Sequence, residues 1–134
     1  MRTKVTAAII ERDGKVLVAR RKPGLRYGGL WEFPGGKLEE GEALERGLER
    51  ELEEELGVRA KVGEFLCAVP FSGPALDLEL LAFRAELESV AFVMTDHSEV
   101  LWLSPDEMDE ALFTAPDRAV VRRLAGRGPG GEKR

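Results

Sequence analysis

Three glutamates, Glu51, Glu54 and Glu55, form the group of side chains in this sequence that is best suited to chemistry. On an α-helix, residues spaced i, i+3 and i+4 project from one face, so these carboxylates would lie side by side. Like charges at such separations repel by about 0.2–0.5 kcal/mol per pair. Residues 39–55 hold nine glutamates against only two arginines. A solvated helical face would explain the charge alone, but the spacing favours a bound cation that reverses the sign of the repulsion.

Magnesium is the cation that this pattern favours, because Mg²⁺ prefers carboxylate oxygens and keeps positions for water and phosphate oxygens. Such a centre can attack a phosphoanhydride: the metal neutralises phosphate charge and activates water, and a free carboxylate removes the proton. Arg50 directly precedes the glutamates and could orient one carboxylate through a bidentate contact. Gly35 and Gly36, upstream, would let backbone or phosphate approach without a side chain in the way. The residues predict a metal-dependent hydrolase.

Composition limits the class of protein. The 134 residues suit one domain, and a net charge of -5 disfavours a nucleic-acid polymer as the partner. Cys67 is the only cysteine, which fits a reducing compartment. The apolar stretch at residues 5–10 is too short for a signal peptide, and no run reaches the ~18 apolar residues of a membrane helix. We therefore expect a cytoplasmic protein with a small-molecule substrate.

A helix over residues 42–56 is the element that must position the glutamates. Apolar side chains recur in it at every fourth position: Leu44, Leu48, Leu52 and Leu56. Gly57 stands where a C-terminal glycine is expected. Gly47 inside the helix costs about 1 kcal/mol relative to alanine, which indicates a close backbone approach.

The remaining pattern alternates strands and turns. Six strands are expected, at residues 5–10, 16–19, 30–33, 65–71, 78–85 and 100–103. Asp13-Gly14 predicts a tight hairpin turn, and Ser104-Pro-Asp-Glu107 predicts a capping box at a short helix. A last helix should cover residues 116–124. The sum is an α/β (α+β) domain over residues 1–125 with a mixed sheet, followed by a glycine-rich tail, 126–134, that we expect to be frayed.

Gly36, Glu42 and the segment 50–58 (RELEEELGV) resemble the Nudix box at every constrained position, over 23 residues. The resemblance implies the Nudix fold, an α/β/α sandwich with a mixed β-sheet. It also implies hydrolysis of a nucleoside diphosphate linked to another group. The implied cofactor is Mg²⁺, with Mn²⁺ as a substitute. We expect the chain to be a monomer or a homodimer.

The resemblance also implies roles for individual residues. The implied metal ligands are one carbonyl and four carboxylates: Gly35, Glu51, Glu54, Glu55 and Glu99. The implied catalytic residues are Arg50, Glu51, Glu54 and Glu99. Arg50 would hold Glu51 in place, and Glu42 would support the box. The general base stays open between Glu51 and Glu99.

The flanking segments are similar to the MutT-like and CTP-pyrophosphohydrolase branch, at residues 8–14, 29–37 and 99–107. This similarity implies conversion of a nucleoside triphosphate, normal or modified, into a monophosphate and pyrophosphate. The implied substrate contacts are Arg21, Phe33, Lys37 and Asp117. Phe33 could equally pack in the core, and Asp117 could equally cap the last helix.

Several residues have plainer interpretations, and two rival functions remain. Trp31 and Trp102 are expected in the core, Cys67 as inert in a strand, and His97 as a loop residue. Pro74, 16 residues past Val58, is reminiscent of ADP-ribose pyrophosphatases, although it falls in an expected turn. A non-catalytic nucleotide sensor is the second rival, and the complete set of box glutamates opposes it.

Overall fold

The protein is described from a computed structural model that covers residues 2–74, 76–89 and 91–126. Its strands and helices are β1 (Thr3–Arg12), β2 (Lys15–Arg21), β3 (Trp31–Glu32), β4 (Gly35–Lys37), α1 (Leu44–Leu56), β5 (Ala60–Gly73), β6 (Leu76–Leu87), β7 (His97–Leu103) and α2 (Arg118–Leu124). Short 3₁₀ helices lie at Pro105–Glu107, Glu110–Leu112 and Ala115–Asp117. Apart from Gly126, the expected tail lies outside the described residues.

The strands form one seven-stranded mixed sheet with β1 near its centre. Strand β1 runs antiparallel to β2 and β4 and parallel to β6. Strand β5 pairs antiparallel with β6, and β2 pairs antiparallel with both β3 and β7. Asp13 and Gly14 join β1 to β2 with φ angles of 53° and 77°. The predicted hairpin turn and the mixed sheet are both confirmed.

Helices cover the two faces of this sheet. On one face Leu48, Leu52 and Leu56 of α1 are fully buried in a cluster with Ala8 and Ile10 of β1. On the other face Val120 and Val121 of α2 are buried with Ala7 and Ile9. The alternation along β1 therefore supplies both cores. Each buried leucine contributes about 1.5–3 kcal/mol, so the predicted leucine repeat anchors α1 to the sheet in an α/β/α sandwich.

Glycines set the end of α1 and its distance from the preceding loop. Gly57 ends α1 in the left-handed region with φ 67°, and its N–H donates to the Glu53 carbonyl. A Cβ on Gly47 would lie 2.3 Å from Leu38 Cδ2. The close approach predicted at Gly47 is therefore confirmed, and the group that approaches is the loop before the helix.

Element boundaries differ most where a partner strand extends the ladder. Strand β7 begins at His97 rather than at residue 100, because it pairs with β2 along its whole length. The Ser104–Glu107 capping box is present, but it opens a single 3₁₀ turn instead of an α-helix. The last predicted helix divides into a 3₁₀ turn, Ala115–Asp117, and α2.

Candidate active site

Arg50 is the centre of the hydrogen bonds around the box glutamates. Its Nε donates to Glu42 Oε2 at 2.7 Å and its Nη2 to Glu42 Oε1 at 2.9 Å, a bidentate pair. Its Nη1 lies 3.1 Å from both Glu51 Oε2 and Glu54 Oε1. The hydrogen bond from Arg50 lowers the pKa of Glu42 to about 2, and the Glu42 contact raises the pKa of Arg50. One guanidinium thus orients three carboxylates.

Gly35 and Gly36 of β4 are required by what lies against them. A Cβ on Gly35, where φ is 154°, would lie 2.0 Å from the Thr6 carbonyl oxygen of β1. A Cβ on Gly36 would lie 2.5 Å from the Glu51 carboxylate. The first glycine lets β4 pair with β1, and the second lets Glu51 lie against the strand. Burial raises the pKa of Glu51, while the charge of Arg50 opposes that shift.

Glu55 has the most perturbed carboxyl group of the acidic cluster, the name used below for Glu51, Glu54, Glu55 and Arg50. Burial raises the pKa of Glu55 to about 8. The charges of Glu32, Glu51 and Asp96 add to this shift, and a hydrogen bond from the Gly35 backbone opposes it. Within the described residues, Glu55 Oε1 is buried without a hydrogen-bond partner. The site concentrates negative charge that its own residues leave unbalanced.

A divalent cation fits this arrangement. The available ligands are carboxylate oxygens, which hard cations prefer, and the buried Glu55 Oε1 has no hydrogen-bond partner among the described residues. In the part of the chain that the structure describes, no three acidic, histidine or cysteine side chains form a ready-made ligand set. The ion pairs of Arg50 engage one oxygen of Glu51 and one of Glu54, and the second oxygen of each carboxylate stays outside those pairs.

Two acidic residues near Glu55 were missed by the sequence analysis. Glu32 comes from β3, within the segment 29–37 that is similar to the MutT-like branch. Asp96 follows a stretch that crosses the end of α1, where the Val93 N–H donates to the Leu56 carbonyl at 2.8 Å and the Thr95 N–H to the Glu55 carbonyl at 3.2 Å. The sequence signal for Asp96 is an acidic residue immediately before a strand, a signal that Glu99 shares because the strand was expected to begin at residue 100.

Glu99 is not brought to the acidic cluster. It lies opposite Arg20 in the β2–β7 ladder, with Arg20 Nη1 3.4 Å from Glu99 Oε1. Side chains alternate along β7, so Val100 and Trp102 pack on the α1 side while Leu103 packs on the α2 side. Glu99 shares the face of Leu103, away from α1.

The predicted substrate residues fall into two groups. Arg21 donates from Nη1 to Glu32 Oε2 at 3.1 Å, on the α1 side of the sheet. Lys37 is exposed, and its carbonyl accepts a hydrogen bond from Arg50. Phe33 is 3% exposed, and its ring centroid lies 5.5 Å from that of Phe113. Phe33 therefore packs in the core whatever else it does.

Asp117 is buried beside Phe33 and Thr114, and these three residues are called the Asp117 cluster below. The Thr114 hydroxyl donates to Asp117 Oδ2, and the Phe33 backbone supplies a second hydrogen bond. Burial raises the pKa of Asp117 to about 8, with a contribution from the charge of Glu32, and the two hydrogen bonds oppose the shift. Its side chain makes no capping hydrogen bond to α2.

Both tryptophans pack as the plainer interpretations predict, and the placement of His97 differs from its prediction. Trp102 packs against the α1-side core and Trp31 against the α2-side core. Cys67 lies half-buried in β5, where burial raises the pKa of its thiol, as expected of an inert cysteine. The loop assignment of His97 is wrong: it is the first residue of β7 and is 1% exposed.

The sequence and the fold of this chain are similar to those of known proteins of one family. Residues 1–124 match the NUDIX domain model. The chain is 40% identical to the CTP pyrophosphohydrolase of Escherichia coli over 104 residues, 78% of this chain and 77% of that protein. It is 28% identical to the 8-oxo-dGTP diphosphatase of Haemophilus influenzae over 90% of each chain. The crystal structure of the MutT protein from Methanosarcina mazei superposes with a TM-score of 0.81 at 25% identity, covering 92% of this chain and 93% of that one.

The fold and the glutamate-bearing helix thus define a hydrolase of nucleotide phosphoanhydride bonds. The chain belongs to the Nudix hydrolase family, whose members generally use divalent metal ions. It acts as a pyrophosphohydrolase on small nucleotide substrates. None of the helices that the structure describes combines the length and the hydropathy of a membrane span.

Proposed function

We propose that this chain is a cytoplasmic, Mg²⁺-dependent nucleoside triphosphate pyrophosphohydrolase, carried by one domain over residues 1–125. It would convert a triphosphate and water into a monophosphate and pyrophosphate. The observation that carries the proposal is the position of Glu32, whose charge acts on Glu55 of the acidic cluster and on Asp117 of the Asp117 cluster. One acidic side chain of β3 thus lies near both the acidic cluster and the Asp117 cluster, which suits a single nucleotide that contacts both.

In this proposal Glu51, Glu54, Glu55 and the Gly35 carbonyl would hold Mg²⁺, with Mn²⁺ as a substitute. The metal would supply charge neutralisation on the phosphates and activation of water. Arg50 would orient the glutamates, as it does Glu42, Glu51 and Glu54 here. Lys37 and Arg21 would contribute positive charge toward the phosphates.

Glu51 is the general base in this proposal. Burial raises its pKa, which makes its carboxylate a better proton acceptor than a solvated glutamate. It also lies in the acidic cluster against Gly36. Glu99 is the alternative base, and its ion pair with Arg20 on the other face argues against it.

The Asp117 cluster would recognise the nucleobase. A carboxyl group with a pKa of about 8 is largely protonated at neutral pH and can then donate one hydrogen bond. The Glu32 carboxylate can accept one from an amino group. Together they favour a base that presents an acceptor beside an amino group. Cytosine and adenine both do, and the name of the Escherichia coli relative favours cytosine. Modified triphosphates are the second candidate substrates, because the Haemophilus influenzae relative is an 8-oxo-dGTP diphosphatase.

A substrate panel tests the proposal. The purified protein is incubated with Mg²⁺ and the normal triphosphates, their 8-oxo, 5-hydroxy and 5-methyl forms, and ADP-ribose, with and without a chelator. We expect metal-dependent release of pyrophosphate and a monophosphate, fastest for a cytosine nucleotide. Much faster turnover of ADP-ribose would replace the substrate and keep the metal chemistry. Tight nucleotide binding without turnover would instead support a nucleotide sensor.

A further inference from the structure

His97 is buried beside the site and has a single hydrogen-bond partner among the described residues. Its Nε2 lies 2.8 Å from Glu32 Oε2, and its side chain has 0% exposure. Its other ring nitrogen, Nδ1, is buried without a partner in the described part of the chain. A buried polar atom without a hydrogen-bond partner destabilises the folded protein by about 1–3 kcal/mol. The burial of this ring, with its one side-chain hydrogen bond to Glu32, therefore requires an explanation.

The backbone directs His97 to this position. In the β2–β7 ladder Arg20 pairs with Glu99, and a regular continuation would place Ser98 opposite Arg21. A register shift between Arg20 and Arg21 places His97 there instead. Bulges of this kind re-aim one side chain relative to the strand. The shift leaves Ser98 exposed and turns His97 inward toward Glu32.

The two contacts to Glu32 converge on one oxygen. Arg21 Nη1, at 3.1 Å, and His97 Nε2, at 2.8 Å, both approach Oε2. Two donors from different strands fix the plane of a carboxylate more tightly than either donor alone. Neither contact uses Oε1, so that oxygen is left to accept from a further group. We assign the Nε2–H tautomer to His97, because only that tautomer donates to the Glu32 carboxylate.

We propose that His97 is a positioning residue: together with Arg21 it holds the Glu32 carboxylate in one orientation between the acidic cluster and the Asp117 cluster, so that Glu32 Oε1 meets a hydrogen-bond donor on the bound nucleotide. His97 touches neither the substrate nor the metal. The inference rests on the proposed function, since it makes Glu32 a nucleotide contact. Loss of the His97 contact should weaken nucleotide binding and leave the chemical step largely intact.

The kinetic test uses two replacements of similar size. His97→Leu fills the space without a donor, and His97→Gln can place an amide N–H near the position of Nε2. On the best triphosphate of the panel, His97→Leu should raise KM about tenfold and change kcat less than about threefold, and His97→Gln should return KM to within about threefold of wild type. A tenfold change corresponds to about 1.4 kcal/mol of binding free energy. Ser98→Ala, at the exposed neighbour, is the matched control.

Two results would overturn the proposal. Equal defects in His97→Leu and His97→Gln, with both proteins folded by circular dichroism, would show that the ring acts by packing alone. A loss in kcat at unchanged KM would place His97 in the chemical step. Adding His97→Leu to Glu32→Gln should produce no further rise in KM, because the group that His97 positions is already altered.

A second readout does not need turnover. His97 is the only histidine of the chain, so its imidazole signals in a ¹⁵N NMR spectrum require no assignment. The Nε2–H tautomer is expected in the wild type, with a proton shift that changes in Glu32→Gln. An Nδ1–H tautomer would overturn the proposal directly. If no triphosphate is hydrolysed, the proposed function fails, and the affinity for a non-hydrolysable CTP analogue in wild type and His97→Leu still decides the role of His97.

Discussion

The acidic cluster on α1 and the Asp117 cluster beside β3 each bury a carboxyl group whose pKa lies near 8. Burial is the largest cause in both. The difference lies in what surrounds each group: Asp117 receives hydrogen bonds from Thr114 and Phe33, whereas Glu55 has an orphaned oxygen and three negative neighbours. Asp117, whose hydrogen-bond donors are neutral, can stay protonated and form a hydrogen bond to a ligand. Glu55, whose neighbours carry like charges, is suited to binding a cation.

Glu54→Gln should produce the largest loss of activity among the variants proposed here. Removing one carboxylate from the acidic cluster should lower kcat/KM by more than about 100-fold, because metal and phosphate charge are then poorly balanced. The Glu54 side chain is 57% exposed, so the melting temperature should stay within a few degrees. Steady-state kinetics and thermal unfolding measure both quantities. Glu53→Gln, exposed on the same helix, is the control, and equal losses in the two variants would show that helix charge alone matters.

Gly36→Ala should displace a carboxylate of the acidic cluster without changing any charge. The added methyl group would lie 2.5 Å from the Glu51 carboxylate, so Glu51 must move. We expect kcat to fall about 10- to 100-fold, with a smaller effect on stability. Gly63→Ala is the matched control, since its Cβ would meet only the Arg84 carbonyl, at 3.7 Å. Wild-type kinetics in Gly36→Ala would mean that Glu51 is not held by β4.

Asp117→Asn tests, through the pH dependence of stability, whether Asp117 is protonated in the folded protein. The pKa of Asp117 is raised in the fold from 3.8 to about 8, so the folded state keeps the proton that the unfolded chain releases. The stability contributed by Asp117 is complete below pH 3.8 and falls until the pH passes about 8. The free energy of unfolding of the variant, relative to wild type, should therefore increase from pH 5 to pH 8.5. Urea unfolding at both pH values measures the difference, and a constant difference would mean that Asp117 is ionised in the fold.

Glu99→Gln should produce the smallest effect. Glu99 is ion-paired with Arg20 on the face away from α1, and an exposed pair contributes at most about 1 kcal/mol. We expect kcat to fall less than about threefold, against a loss of at least about 100-fold in Glu51→Gln. The two variants assayed in parallel test whether Glu99 takes part in the chemical step. A collapse of activity in Glu99→Gln would return the base to β7 and require that strand to rearrange.

Local signals were sufficient for much of the fold. The Asp13-Gly14 turn, the leucine repeat of α1, its ending at Gly57 and the close approach at Gly47 are all present. Each depends on residues near one another in the chain, where the helical or turn geometry is the same in any protein. The predicted ends of the strands were less accurate, because β5, β6 and β7 continue for as long as they pair with their partner strands.

The sequence by itself determined that Glu51, Glu54 and Glu55 share a helix face near Arg50, because the helical repeat sets their spacing. Only the tertiary structure decided that Glu32 and Asp96 would join them and that Glu99 would not. Those outcomes depend on pairing between distant strands, where a shift of one residue reverses which side chain faces the site. The shift between Arg20 and Arg21 turned His97 inward, and no local pattern indicates a contact between residues 32 and 97.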